Sequence, residues 1–244
     1  MSDEQVSDPS EPDADPDLVI SSVVAPSPAP SPVTEMMIGG TIVELGPPIV
    51  WVSGLSVDAD GAPDAYALPG SGLNGADYIG NAHKRPKDLT SPYCGVVVGD
   101  DGKPVIQGVS DPCPGYLVST TALQDKNKNR NDPNRYVNSR KIPFISIPAD
   151  LEHMIMLGDF CWVEWNGHET PAVIADYGPK GKVGEGSIFL ANALSINPSP
   201  KHGGTGKGVK VTIWPKSGIG WPLTLDKINT AVDQLRGAVP FPVS

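Results

Sequence analysis

The chain has 244 residues, 27 glycines, 27 prolines and a formal net charge of -10. This length suits one domain with flexible ends, and the many turn-forming residues between short valine- and isoleucine-rich runs indicate a mainly β protein. The charge is uneven: residues 1–83 contain 13 acids and no Lys or Arg, so residues 84–244 hold 18 basic residues against 28 - 13 = 15 acids. The acidic N-terminal third and the lack of a basic stripe argue against nucleic-acid binding.

Residues 1–35 are predicted to form an acidic, proline-rich tail. Seven prolines and seven acids within residues 1–33 are typical of a solvated linker, and the alternative is an arm that anchors the protein in a larger assembly. The tail has neither the basic nor the apolar region of a secretory signal, and no apolar run in the chain is long enough to span a membrane. We therefore expect synthesis in the cytoplasm, with release by lysis, by a specialised apparatus or in a particle.

Residues 36–222 are predicted to form a β-barrel domain. Short apolar runs follow one another and are bounded by Gly, Pro, Asn or Asp, the pattern of many short strands; they are TIVEL, PPIVWVSGLSV, YCGVVVG, PVIQGV, GYLVSTTAL, IPFISIP, FCWVEW, PAVIADYG and VKVTIW. Helical periodicity occurs in two places. It predicts a short helix near residues 187–196 with Ser187 as its cap, and a C-terminal helix within residues 223–244.

The segment DKNKNRNDPNR, residues 125–135, is polar and basic and is predicted to be an exposed loop. Solvation is the simpler interpretation of its charge. Binding of a polyanion is the alternative, although the segment lacks the interleaved aromatic residues typical of such sites.

The sequence predicts no metal site and no cofactor. Asp58-Ala-Asp60-Gly61 begins like a calcium loop but lacks its further ligands, and the four histidines show no metal-binding spacing. The stretch KHGGTGKG departs from the phosphate-loop pattern at both ends, so the turn is the simplest interpretation of both motifs.

Residues 171–196 contain the strongest chemical motif. An apolar strand is expected to deliver Asp176 to its end, and Gly184-Glu185-Gly186-Ser187 is expected to open a helix nine residues later. Glycoside hydrolysis requires two carboxyl groups, one to protonate the leaving oxygen and one to activate water or attack the sugar. The competing interpretation is structural, because Asp commonly forms turns and Glu commonly complements a helix dipole.

Several blocks of residues, in order, resemble the fungal-type chitosanases of glycoside hydrolase family 75. They are LSVDADGAPDAY (55–66), GLNGADYIGNA (72–82), PVIQGVSDPCPGYLVSTTALQD (104–125), YVNSRKIPFISIP (136–148), GDFCWVEWNGHETPAVIADYGPKGKVGEGSIFLANAL (158–194) and VKVTIWPKSG (209–218). The resemblance implies endo-hydrolysis of β-1,4 bonds in an amino-sugar polymer such as chitosan, with inversion, by Asp176 and Glu185. The DYGP turn is also similar to a turn of double-psi β-barrels, so a double-psi-like barrel is the expected fold.

We expect Glu185 to be the general acid and Asp176 the general base, although the roles can be exchanged. Carboxylates pair with amines and aromatic faces stack on sugars, so the residues expected to bind the polysaccharide are Asp58, Asp60, Tyr66, Tyr116, Thr120, Asp125 and Trp165. Two alternatives stay open: a peptidoglycan-degrading component of a phage tail or injection device, and a non-catalytic structural part of such a particle.

Overall fold

The computed structural model describes residues 34–221 and 223–238, and a closed six-stranded β-barrel is its central element. The barrel strands are β3 (Ile49–Asp58), β4 (Phe144–Pro148), β5 (Phe160–Trp165), β6 (His168–Gly178), β7 (Glu185–Ser187) and β8 (Thr205–Trp214). The prediction of a mainly β protein with a barrel is confirmed. The predicted tail, residues 1–35, lies almost wholly outside the described residues.

The barrel closes in the order β3-β7-β4-β6-β5-β8 and mixes parallel with antiparallel pairs. The three-residue strand β7 runs parallel to β3 and antiparallel to β4, and β4 runs parallel to β6. The remaining neighbours pair antiparallel. As a result, β7 and β4 lie between the last residues of β3 and the last residues of β6, which brings two distant parts of the chain to one end of the barrel.

Two hydrophobic cores lie on opposite faces of the barrel wall. Strand residues alternate between faces, so Ile145 and Ile174 belong to the inner cluster, whereas Phe144 and Val173 belong to the outer one. The outer cluster is covered by helix α2 (Leu225–Ala238), whose buried side chains include Ile228, Val232 and Leu235. The predicted C-terminal helix is therefore confirmed as a packing element.

A two-stranded hairpin precedes the barrel, formed by β1 (Thr34–Ile38) and β2 (Thr41–Leu45). Its turn consists of Gly39 and Gly40, both at positive φ, as a two-residue hairpin turn of the primed type requires. Ile38, Val43 and Leu45 bury against the outer cluster. Among the described residues, no helix combines the length and the apolar character needed to cross a membrane.

Three apolar runs that resemble strands in the sequence, at residues 93–99, 104–109 and 115–123, do not form strands. They exchange several backbone hydrogen bonds but pair only as isolated bridges, Val96 with Ser119, Val98 with Pro104 and Ile106 with Leu117. Prolines and glycines within and between these runs interrupt the hydrogen-bond ladder, because proline has no N–H to donate and glycine favours turns. The long segment between β3 and β4 is instead irregular, and it carries Asp60, whose carboxylate belongs to the candidate site described next.

Candidate active site

Glu185 and Asp176 lie in one row across three strands. Ser146 on β4 pairs with Glu185 on β7 and with Asp176 on β6. Two interstrand spacings of about 4.8 Å each separate the two acidic residues along this row, so their Cα atoms are about 10 Å apart. The expectation that Glu185 opens a helix is wrong: it belongs to β7, and α1 (Ile188–Ala193) begins after Ser187, whose Oγ accepts a hydrogen bond from the N–H of Leu190.

The carboxylate of Glu185 reaches across β4 toward the end of β6. A Cβ placed on Gly178, two residues after Asp176, would lie 2.8 Å from Glu185 Oε2 and 3.9 Å from Ser146 Cβ. The absence of a side chain at Gly178 therefore makes the space that this carboxylate occupies. It follows that the side chains of Glu185 and Asp176 converge on the same end of the barrel.

Two further carboxylates come from the end of β3. Buried Asp58 accepts a hydrogen bond from Ser146 Oγ through Oδ2 (3.1 Å) and one from the N–H of Asp60 through Oδ1 (2.7 Å). Asp60 Oδ1 in turn accepts a hydrogen bond from the hydroxyl of Tyr66 at 2.8 Å. A Cβ on Gly95 would meet both carboxylate oxygens of Asp60 at 3.1 and 3.3 Å, so a glycine makes room for this acid as well.

Burial and mutual repulsion raise the pKa of every carboxyl group in this cluster. Burial, followed by the charges of Asp58 and Asp77, raises the pKa of Glu185 to about 8, and Lys182 opposes the shift. Burial is also the main reason that the pKa of Asp58 rises to about 6. The pKa values of Asp60 and Asp176 rise well above the ordinary range, again through burial and then through the charge of Asp58. The cluster therefore retains protons at neutral pH, as closely spaced carboxylates must.

Two backbone N–H groups hold one oxygen of the Asp176 carboxyl group. Its Oδ1 accepts hydrogen bonds from the backbone N–H groups of Ala122 (3.0 Å) and Tyr177 (2.8 Å). Both bonds favour the carboxylate and lower the pKa of Asp176, in opposition to burial. They also fix the orientation of the group, because one of its two oxygens is held by both bonds.

An open groove of about 610 Å³ runs past this end of the barrel. It is lined by both Asp60 and Asp176, by Tyr177, and by Thr120, one of the residues predicted to bind substrate. Two arginines of the basic segment 125–135, Arg130 and Arg135, line the same groove. Of the two expected catalytic carboxyl groups the groove passes Asp176, whereas Glu185 is not among its lining residues.

The structure brings only some of the predicted binding residues to this groove. Tyr66 is 2% exposed, so its ring supports Asp60 and offers no face to a sugar. The Tyr116 hydroxyl donates to the carbonyl of Asn74 at 3.4 Å. Buried Asp125 accepts a bond from the N–H of Asn127 and so closes a local turn.

Trp165 lies far from the carboxylates. It pairs with His168, the first residue of β6, whereas Asp176 is eight residues further along the same strand. At about 3.3 Å per residue this places Trp165 roughly 26 Å away along the barrel wall. Its indole N–H donates to the carbonyl of Lys207 at 3.3 Å, which indicates a role in closing the other end of the barrel.

Two members of the cluster had no distinguishing feature in the sequence. Asp77, 7% exposed, lies in a turn where it accepts bonds from the side chain of Asn81 and the N–H of Tyr78, yet its charge acts on both Asp58 and Glu185. Ser146 is 1% exposed and sits in the middle of an apolar strand. For Ser146 the one local signal is that a hydroxyl residue interrupts the apolar run FISIP.

Three of the carboxylates can also approach a cation together. Oxygens of Asp58, Asp60 and Asp176 lie within 4.8 Å of one another. Hard divalent cations prefer such oxygen ligands. Carboxyl groups that share protons lie at the same spacing, so the spacing fits a cation site and a proton-sharing cluster equally well.

No model of a known protein family matches the chain, and no curated protein sequence matches it. The carboxylate cluster and the groove beside it are therefore the physical basis for assigning a function.

Proposed function

We propose that the protein is a glycoside hydrolase that cleaves β-1,4 bonds within an amino-sugar polymer of the chitosan type. The observation that carries the proposal is the pairing of Glu185, whose pKa of about 8 keeps it protonated at neutral pH, with Asp176 in the same row of residues. Glycosidic cleavage requires one protonated and one ionised carboxyl group, so the proposal needs Asp176 to lose its proton while Glu185 keeps its own, and the two backbone N–H groups bound to Asp176 favour that loss.

In the proposed reaction, Glu185 donates its proton to the glycosidic oxygen as the bond from that oxygen to the anomeric carbon breaks. A water molecule attacks the same carbon from the opposite face of the sugar. Asp176 accepts the proton that this water loses, through the oxygen that is not held by the N–H groups of Ala122 and Tyr177. One proton leaves Glu185 and one is gained by Asp176, so the two groups exchange protonation states in each turnover.

Inversion is the expected stereochemical outcome. A Cα separation of about 10 Å leaves room for the wider carboxyl spacing of inverting enzymes, which accommodates a water molecule between the general base and the sugar. We further propose that the barrel is of the double-psi type, which the sequence resemblance favours. The open groove supports an endo mode of action, because a polymer can lie across it without a chain end entering.

The test is the release of reducing ends from chitosan by the full chain, with Glu185→Gln and Asp176→Asn as variants. Each variant is expected to lower kcat by a factor of about 10² to 10⁴, the usual contribution of a general acid or base. Arg140→Gln is a suitable control, because Arg140 pairs with Asp64 away from the groove. Unchanged turnover in both acidic variants would overturn the assignment of this pair, and absence of turnover in wild type would favour a non-catalytic structural part.

A further inference from the structure

The groove that contains the catalytic aspartate carries opposite charges. Asp60 and Asp176 line it together with Arg130 and Arg135, which are called here the arginine pair. Among the described residues, neither arginine has a carboxylate within ion-pair distance, unlike Arg85 with Asp88 and Arg140 with Asp64. The groove therefore presents acidic and basic groups separately.

The arginine pair is held in place by neutral acceptors. Arg130 donates through one terminal nitrogen to the carbonyl of Val98 at 3.0 Å. Arg135 donates through Nε to Gln124 Oε1 at 2.5 Å and through a terminal nitrogen to the carbonyl of Lys128. Each guanidinium carries five N–H donors, so these bonds orient the groups and leave other donors for a ligand.

The two guanidinium groups also lie near the same tyrosine, Tyr136. Both charges act on the hydroxyl of Tyr136, which lines the same groove, and both oppose the rise in its pKa that burial causes. Two like charges held beside one aromatic residue, without a described carboxylate in ion-pair contact with either, create a positive site within the groove. Guanidinium groups bind carboxylates with two parallel hydrogen bonds, which gives such a site geometric selectivity.

We propose that the arginine pair binds a carboxylate carried by the substrate, so that the substrate is an amino-sugar polymer with acidic substituents on its sugars. This inference rests on the proposed glycosidase function and deepens it. A purely cationic polymer forms no favourable charge interaction with Arg130 and Arg135. An amino-sugar polymer with a carboxylate beside the scissile bond can interact with both the acidic and the basic side chains of the groove. The basic loop of residues 125–135 thereby acquires a role in substrate choice.

The experiment compares two soluble polymers of equal length at weakly acidic pH, chitosan carrying carboxymethyl ethers and the same chitosan without them. Initial rates give kcat/KM for each with the full-length protein, with Arg130→Gln, and with Arg85→Gln as the matched control outside the groove. Wild type is expected to favour the carboxylated polymer, and Arg130→Gln to lower the ratio of the two kcat/KM values about tenfold, as expected for one lost charge-assisted hydrogen bond. Arg130→Lys should restore part of the ratio, and Arg85→Gln should leave it unchanged.

A ratio that stays the same in Arg130→Gln, or that favours the unmodified polymer in wild type, overturns the inference. Binding of the same two polymers to Glu185→Gln, measured by calorimetry with and without Arg130→Gln, separates this failure from failure of the proposed function. If neither polymer is hydrolysed, the glycosidase proposal fails. In that case preferential binding of the carboxylated polymer that Arg130→Gln weakens still supports the carboxylate site, and equal binding of both polymers rejects it.

Discussion

Gly178→Ala offers a direct test of where the general acid lies. The added Cβ would lie 2.8 Å from Glu185 Oε2, whereas ordinary contact begins at 3.4 Å, so the carboxylate must move by at least 3.4 - 2.8 = 0.6 Å. The other neighbours of this Cβ, the carbonyl of Ile147 and Cβ of Ser146, are at a tolerable 3.9 Å. Gly178 does not have a positive φ, so alanine fits its backbone. The perturbation therefore falls on Glu185 alone.

A displacement approaching 1 Å at a catalytic group can cost about 10²-fold in rate. We expect Gly178→Ala to lower kcat on chitosan by about 10- to 100-fold, because the proton donor no longer meets the glycosidic oxygen. The melting temperature should change little, since the clash involves the end of a flexible side chain. Reducing-end release measures the rate, and circular dichroism measures the unfolding.

Gly206→Ala is the matched control, because a Cβ at Gly206 in β8 meets nothing within 4 Å. It should retain the activity of wild type. Wild-type turnover in a folded Gly178→Ala protein would refute the reasoning, since Glu185 would then act from another position or not at all.

Three further predictions concern the cluster and the fold. Ser146→Ala removes a buried hydrogen bond to Asp58, so we expect a loss of about 1 kcal/mol of stability in urea denaturation. The pKa of Asp58 rises, so its negative charge raises the pKa of Asp176 less, and the acidic limb of the pH–rate profile should move to lower pH. Asp58 and Glu185 have folded pKa values of about 6 and about 8, above their unfolded values, so the folded state binds more protons than the unfolded state and stability falls as pH rises from about 4 to 8. Thermal melts should show this fall in stability. Glu185→Gln should raise the melting temperature at pH 8 but hardly at pH 4. Equal gains at both pH values would contradict this origin of the pH dependence. Leu235→Ala, at a fully buried position on α2, should cost about 2–4 kcal/mol while leaving kcat per folded molecule unchanged, because Leu235 packs in the outer cluster and does not line the groove.

The sequence by itself determined most of the barrel and the position of its C-terminal helix. The runs that became β3, β4, β5, β6 and β8 are short, apolar and bounded by turn residues, and α2 shows a stripe of buried residues at helical spacing with Ile228, Val232 and Leu235. Such periodicity is local, so it can be read from neighbouring residues alone. The sequence also predicted Asp176 at the end of a strand and Glu185 beside a turn. It did not predict β7, the strand to which Glu185 belongs.

Tertiary structure alone decided which groups share the site. Strand β7 has three residues, too few for a pattern, and it exists because β3 and β4 provide hydrogen-bond partners on both sides. Asp77 and the arginine pair enter from irregular loops far away in sequence, and Trp165 is excluded because β6 carries it to the other end of the barrel. The pKa of Glu185 depends on that convergence, since burial and neighbouring carboxylates are set by closure of the barrel and by no local motif.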